Sequence, residues 1–120
     1  MKICVTSKGN KLESDVDPRF GRCEYFVIVD TDTMEFEAFD NPSAMAMGGA
    51  GPQAAKMVHD RGAGAVVTGN VGPNASTTLE ALKIRVYVGA SGTVKQAVED
   101  FKAGRLKEAK GPTTDSHSGM

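Results

Sequence analysis

Tyr25-Phe26-Val27-Ile28-Val29-Asp30 is an unbroken apolar run, bounded by Glu24 on one side and Thr31-Asp32-Thr33 on the other. It has the length of a strand and is filled by aromatic and β-branched residues, so it predicts a central strand buried on both faces. Thr31-Asp32-Thr33 is turn chemistry, and Glu35-Phe36-Glu37-Ala38-Phe39 then alternates roughly as an edge strand does, which predicts a hairpin. Upstream, Ile3 and Val5 flank Cys4 in a β-prone run that reads as a first strand. A long polar stretch, Ser7 to Glu24, separates the two.

Downstream the period changes. Pro52 fits the first position of a helix, with Ala54, Ala55 and Val58 on one face and Gly62 or Gly64 as the stop. Ala65-Val66-Val67-Thr68 reads as a short buried strand, and Gly69-Asn70-Val71-Gly72-Pro73-Asn74 as a turn. Ala75, Leu79 and Leu82 form a second helical stripe, and Ile84, Val86 and Val88 alternate as a fifth strand. Thr93 precedes Val94, Ala97, Val98 and Phe101, one more helical face. Thr93 and Gln96 have the spacing of a capping box, and Gly104 supplies a left-handed stop. From Arg105 onward periodicity disappears. The division expected is one domain over 1–108 and a flexible C-terminal tail over 109–120.

The resulting order is β-β-β-α-β-α-β-α, an α/β fold with a mixed five-stranded sheet and helices on its faces. Strands 1, 3, 4 and 5 run one way and strand 2 against them. The chain has 120 residues, 40% apolar and 24% charged, which excludes a wholly disordered or fibrous chain. Lys plus Arg total 14 against 15 Asp plus Glu, a net charge of -1, so no basic excess marks a nucleic-acid partner. No apolar run approaches the ~18 residues of a membrane span, and Met1 to Thr6 has no signal-peptide character. Cys4 and Cys23 are too few for a disulfide framework. A cytoplasmic protein with reduced thiols is expected.

The loops after strands 1, 3, 4 and 5 leave the same edge of such a sheet, where open α/β sheets bind ligands. These loops hold most of the 14 glycines, and two of them lead into helices at Pro52 and Pro73. Free amides at helix N-termini can cradle an anion; short loops also simply need glycine. The first loop, about 18 residues, is long for a compact domain. It carries Asp17-Pro18-Arg19-Phe20-Gly21-Arg22. Two readings fit that segment: guanidinium groups presented to an anion beneath an aromatic cover, or a solvated loop that Phe20 anchors to the core.

Asp17-Pro18-Arg19-Phe20-Gly21-Arg22 leading into Tyr25–Val29, Asn41-Pro42 with Gly48-Gly49-Ala50-Gly51, and Gly69-Asn70-Val71-Gly72-Pro73-Asn74-Ala75 resemble the dinitrogenase iron–molybdenum cofactor biosynthesis family. The resemblance covers about residues 1–108. It implies a ribonuclease H-like three-layer fold. It further implies kinship with nitrogenase-cofactor carriers and with the orange protein of sulfate reducers, which holds a molybdenum–copper sulfide cluster noncovalently.

A sulfide-rich cluster is a soft, polyvalent anion that brings its own sulfur ligands. It asks for amides, guanidinium charge and soft contact surface, so the expected binding set is Arg19, Phe20, Gly21, Arg22, Met45, Met47, Gly48, Gly49, Gly51, Gly69, Asn70, Gly72 and Asn74. Met45 and Met47 also read as filler against the first helix. Cys23, beside the arginines that would lower its pKa, and His59 are the candidate metal ligands. An inert thiol and a half-exposed helix histidine are the alternatives. Cys4 reads as core, and His117 lies in the tail.

Catalysis is not expected. Strand 1 ends in Thr6-Ser7, strand 4 in Thr68-Gly69, only Asp40 closes strand 3, and Asp15 and Asp17 fall in a loop read as mobile. The sequence therefore predicts a non-enzymatic carrier of a molybdenum-copper or iron-molybdenum sulfide cluster, monomeric or weakly dimeric. Cluster donor or acceptor proteins would be its partners, with neither nucleic acid nor membrane. An adaptor that binds no metal and a binder of small anionic metabolites are the alternatives.

Overall fold

A computed structural model describes residues 1–42 and 50–113. Their elements are β1 (Lys2–Ser7), β2 (Tyr25–Asp30), β3 (Phe36–Asp40), α1 (Ala50–Asp60), β4 (Ala65–Val67), α2 (Pro73–Ala81), β5 (Arg85–Val88), α3 (Val94–Lys102) and β6 (Lys107–Ala109). The sheet order is β3-β2-β1-β4-β5-β6. β1 pairs antiparallel to β2 and parallel to β4, and β4 pairs parallel to β5, so β1, β3, β4 and β5 share one direction as expected.

The sheet has six strands, not the five expected. β6 adds antiparallel to β5, with Lys107 opposite Val88 and Ala109 opposite Val86. Lys-Glu-Ala is too short and too polar to announce a strand, and the pairing comes from the open backbone edge of β5. Past β6 the chain turns back: the Thr113 amide donates to the Val71 carbonyl at 2.8 Å, and the Val71 amide to the Thr113 hydroxyl at 2.8 Å.

Alternation along the central strands splits the core in two. Cys4, Phe26, Ile28 and Val66 face α1 and α2, meeting Ala54, Ala55, Val58, Ala75 and Leu79. Ile3, Val5, Val27, Val29 and Val67 face the other way and meet Val94, Ala97 and Val98 of α3. Burial on both faces explains why β2 is apolar from Phe26 to Val29. α3 opens on the predicted capping box, in which the Thr93 hydroxyl accepts from the Gln96 backbone amide and the Gln96 side-chain Oε1 from the Thr93 backbone amide. Gly104, at φ 73, takes the left-handed position after it.

The long β1–β2 loop is sewn to its surroundings. The Asp17 amide donates to the Thr6 carbonyl at 3.0 Å and that of Val16 to Gly92 at 2.9 Å. Val94 donates to Ser14 and Lys95 to Leu12, both at 2.9 Å, so the loop lies against the start of α3. On its other flank the Asn70 amide donates to the Pro18 carbonyl at 2.8 Å. That approach has no room for a side chain at Gly69, two residues past β4. A Cβ on Gly69 would stand 2.6 Å from Pro18 Cβ and 2.7 Å from its Cα.

Gly69→Ala must therefore push backbone aside and should destabilise the fold by about 1–3 kcal/mol. Gly64→Ala, whose Cβ would meet nothing nearer than Met1 Cε at 3.9 Å, should stay within about 0.5 kcal/mol of wild type. Urea unfolding of the two variants checks this, and equal midpoints would contradict it.

Candidate functional site

Direction and pairing bring the carboxyl ends of β1, β3, β4 and β5 to one rim. There the β1–β2 loop and the starts of α1 and α2 approach one another through glycine. Gly21 sits at φ 101, a conformation costly for any side chain, and its Cβ would lie 3.2 Å from Gly51 Cα. A Cβ on Gly51 would in turn lie 2.9 Å from Ala75 Cβ and 3.2 Å from the Ala75 amide. The first turns of α1 and α2 thus touch beside the arginine loop. Neither helix carries an acidic residue in its first turn. α2 starts at Pro73 from an extended Gly72 cap without a side-chain cap bond, and Asn74 is exposed there.

Of the expected binding residues, Arg19, Gly21, Arg22, Gly51, Gly69, Asn70, Gly72 and Asn74 come together on this rim. Gly69 is spent on the contact with Pro18, while the Asn70 amide bonds to Pro18 and its side chain is exposed. Met45, Met47, Gly48 and Gly49 lie outside the described residues. Phe20 takes the second of its two readings: it is 7% exposed and packs on Phe26 at 6.0 Å between ring centroids, so it anchors the loop from below.

Arg22 is exposed. Arg19 is 65% exposed, but its charge is balanced by Asp17, whose side chain is 2% exposed. Asp17 Oδ1 accepts from Arg19 Nε at 3.1 Å and Oδ2 from Nη2 at 3.2 Å. That pair, through its hydrogen bond and then its charge, raises the Arg19 pKa above its ordinary value. Asp17 does not belong to a mobile loop, as its place among polar residues had implied. The Thr6 hydroxyl donates to its carbonyl at 2.6 Å and pairs with the Thr68 hydroxyl at 2.8 Å.

Cys23 is fully buried. Burial first, then the Asp17 carboxylate, push its thiol up to about 12, against an ordinary 9.0. The expected lowering by arginine is reversed because burial disfavours the thiolate, and the Asp17 carboxylate adds to that effect. Asn41 closes the loop around it, donating through Nδ2 to the Gly21 carbonyl at 3.0 Å and the Cys23 carbonyl at 2.8 Å. Cys4 is buried, as expected. His59 is not brought to the rim. α1 starts there and carries His59 in its last turn, at the far end of the sheet, where the Gly64 amide meets the Lys2 carbonyl. The imidazole Nδ1 lies 3.5 Å from Asp60 Oδ1.

Among the described residues, no three His, Cys, Asp or Glu side chains gather as a metal-binding group. No helix there is long and apolar enough to cross a membrane. The sequence reading missed the roles of Asp17, Asn41, Thr6 and Thr68. Asp17 carried one signal, an Asp two residues before an Arg across a proline, which is the spacing of a side chain bonding its own loop.

Residues 1–104 match the dinitrogenase iron-molybdenum cofactor family. The apo form of the orange protein from Desulfovibrio gigas is 43% identical and superposes with a TM-score of 0.91, over 94% of this chain and 96% of that one. A NifB-like protein from Thermotoga is 38% identical with a TM-score of 0.78, over 89% and 91% of the two chains. An uncharacterized protein of Methanocaldococcus jannaschii is 31% identical over 111 residues, 90% of this chain and 91% of that one. All three sequence motifs lie within the matched residues. The chain is a member of the dinitrogenase iron-molybdenum cofactor family.

Proposed function

We propose that this protein carries a molybdenum- or iron-containing sulfide cluster, held noncovalently as cargo on the rim formed by Arg19–Arg22, the start of α1 and Gly69–Asn74. The observation that carries this reading is the meeting of two helix N-termini, free of acidic residues, beside an arginine loop. Each helix start offers amides and about half a positive charge. Glycine at Gly21 and Gly51 brings these backbones together without side chains between them.

The donor set fits a cluster that supplies its own sulfides. Such an anion needs hydrogen bonds and positive potential, and it leaves the Cys23 thiol unused. Proteins that instead coordinate metal through cysteine need an accessible thiolate, which burial denies here. Asn70 and Asn74 add amide side chains at the mouth.

We further read the helix–sheet–helix layers as a ribonuclease H-like arrangement that does no catalysis. The strand ends that would hold catalytic metal ions in a nuclease carry Thr6, Ser7 and Thr68, and Asp17 is bound to Arg19. Delivery to or from a second protein is the natural work of such a carrier.

Reconstitution of the apoprotein with tetrathiomolybdate and copper, or with a nitrogenase cofactor extract, should give a charge-transfer absorbance that saturates at a fixed stoichiometry and survives desalting. Arg19→Gln combined with Arg22→Gln should lower retention about tenfold to thirtyfold, since each screened contact is worth about 1 kcal/mol. Undiminished retention by the double variant would move the site elsewhere. A chain that stays colourless in every reconstitution would favour an adaptor without metal.

Cys23→Ala should retain the cluster as wild type does. In the native protein the Cys23 thiol should resist alkylation at pH 8 and react at the rate of a free thiol once unfolded. The sign of its pH dependence follows from the raised pKa. The neutral thiol's contribution to stability is intact below pH 9.0, the ordinary pKa, and is lost as pH rises toward about 12. Rapid alkylation of Cys23 in the folded protein, or loss of the cluster in Cys23→Ala, would contradict noncovalent carriage.

A further inference from the structure

Asp17 and Arg19 invert the usual surface ion pair. Such pairs commonly join two exposed side chains and contribute little. Here the carboxylate is buried and the guanidinium is 65% exposed. The Asp17 carboxylate accepts three hydrogen bonds from Arg19: its backbone amide at 3.0 Å and Nε at 3.1 Å on Oδ1, and Nη2 at 3.2 Å on Oδ2. The carboxylate itself is fixed from behind. Its residue's amide and carbonyl are both held by Thr6, and Thr6 is held by Thr68, so the support reaches the ends of β1 and β4. A line of contacts therefore runs from two central strands through Asp17 to one exposed guanidinium.

A burial this complete is costly for a carboxylate unless it is paired, and the pair confers little stability over an apolar filling. It does confer direction. Gripping Nε and Nη2 leaves the Nη1 edge of the planar fork turned away from Asp17, on a side chain that is 65% exposed and whose rotamer is held before any anion arrives.

We infer that Asp17 is a positioning residue, whose buried carboxylate aims the guanidinium of Arg19 at the anion the rim receives. This rests on the carrier reading above and deepens it, because it assigns a carboxylate to an anion site. Coulomb's law alone assigns Asp17 the opposite effect: a negative charge near an anionic cargo repels it, and its removal should tighten binding. Positioning and repulsion thus predict opposite signs for one substitution.

The test is Asp17→Asn, which keeps the shape and the backbone bonds to Thr6 while ending the bidentate grip. Retention of the tetrathiomolybdate–copper cluster should fall about tenfold, with an unfolding midpoint close to wild type. Arg19→Gln should fall by a similar factor, and Asp17→Asn with Arg19→Gln should be no worse than the poorer single variant, since the two residues act as one. Tighter or unchanged retention in Asp17→Asn, or losses that simply add, would overturn the inference.

A second reading needs no cargo. In the wild-type apoprotein the Arg19 Nε–H resonance should be resolved and slow to exchange with water, and Asp17→Asn should return it to the rapid exchange of a free arginine. If the wild type takes up no cluster, the carrier reading falls. The exchange of this proton then decides on its own whether Asp17 orders Arg19, and fast exchange in the wild type refutes it.

Discussion

Backbone meets backbone at two points of the rim, and the rest of the site depends on it. A methyl group on Gly69 would collide with Pro18, 2.7 Å from its Cα, and one on Gly21, at φ 101, would crowd Gly51 Cα at 3.2 Å. These contacts pull the β1–β2 loop, the start of α1 and the β4–α2 turn into one surface. Glycine's conformational cost is accepted there because no larger residue allows the approach. The hydrogen bonds from Thr6 to Asp17 and from Asn41 to Gly21 and Cys23 then hold the loop at that distance.

Much of this was legible in the sequence, and the parts that were not share a cause. Period and length identified β2, α3 and the directions of the first five strands, since these elements bury side chains that alternate or stripe. β6 escaped because three residues bonded mainly through backbone leave no pattern in side chains. Strand order and direction placed the loops after strands 1, 3, 4 and 5 at one edge. Spacing alone did not tell that Phe20 points inward, or that Asp17, two positions from Arg19, is buried. Both facts follow from how the loop is folded back on Thr6 and Asn70, which are distant in sequence. His59 was legible as a half-exposed helix residue, but its distance from the rim follows from the direction of α1.

Among the described residues, the rim offers electrostatic and steric chemistry, and no three His, Cys, Asp or Glu side chains gather there to hold a metal. The Cys23 thiol is enclosed and its pKa is raised, the first turns of both helices lack acids, and the exposed Arg19 is held by the Asp17 carboxylate. A cargo bound this way would be taken up without ligand exchange at the protein and released without breaking a protein–metal bond. That suits a carrier, whose cargo must leave intact.

Amide mapping tests this directly. On titrating tetrathiomolybdate and copper into isotopically labelled protein, the shifted backbone amides should cluster at 19–22, 51–54 and 69–75, with those of α3 and β6 unmoved. Shifts concentrated instead on the cavity between α2 and β6, around Ser76, Arg85 and Lys110, would contradict a cargo site on the rim.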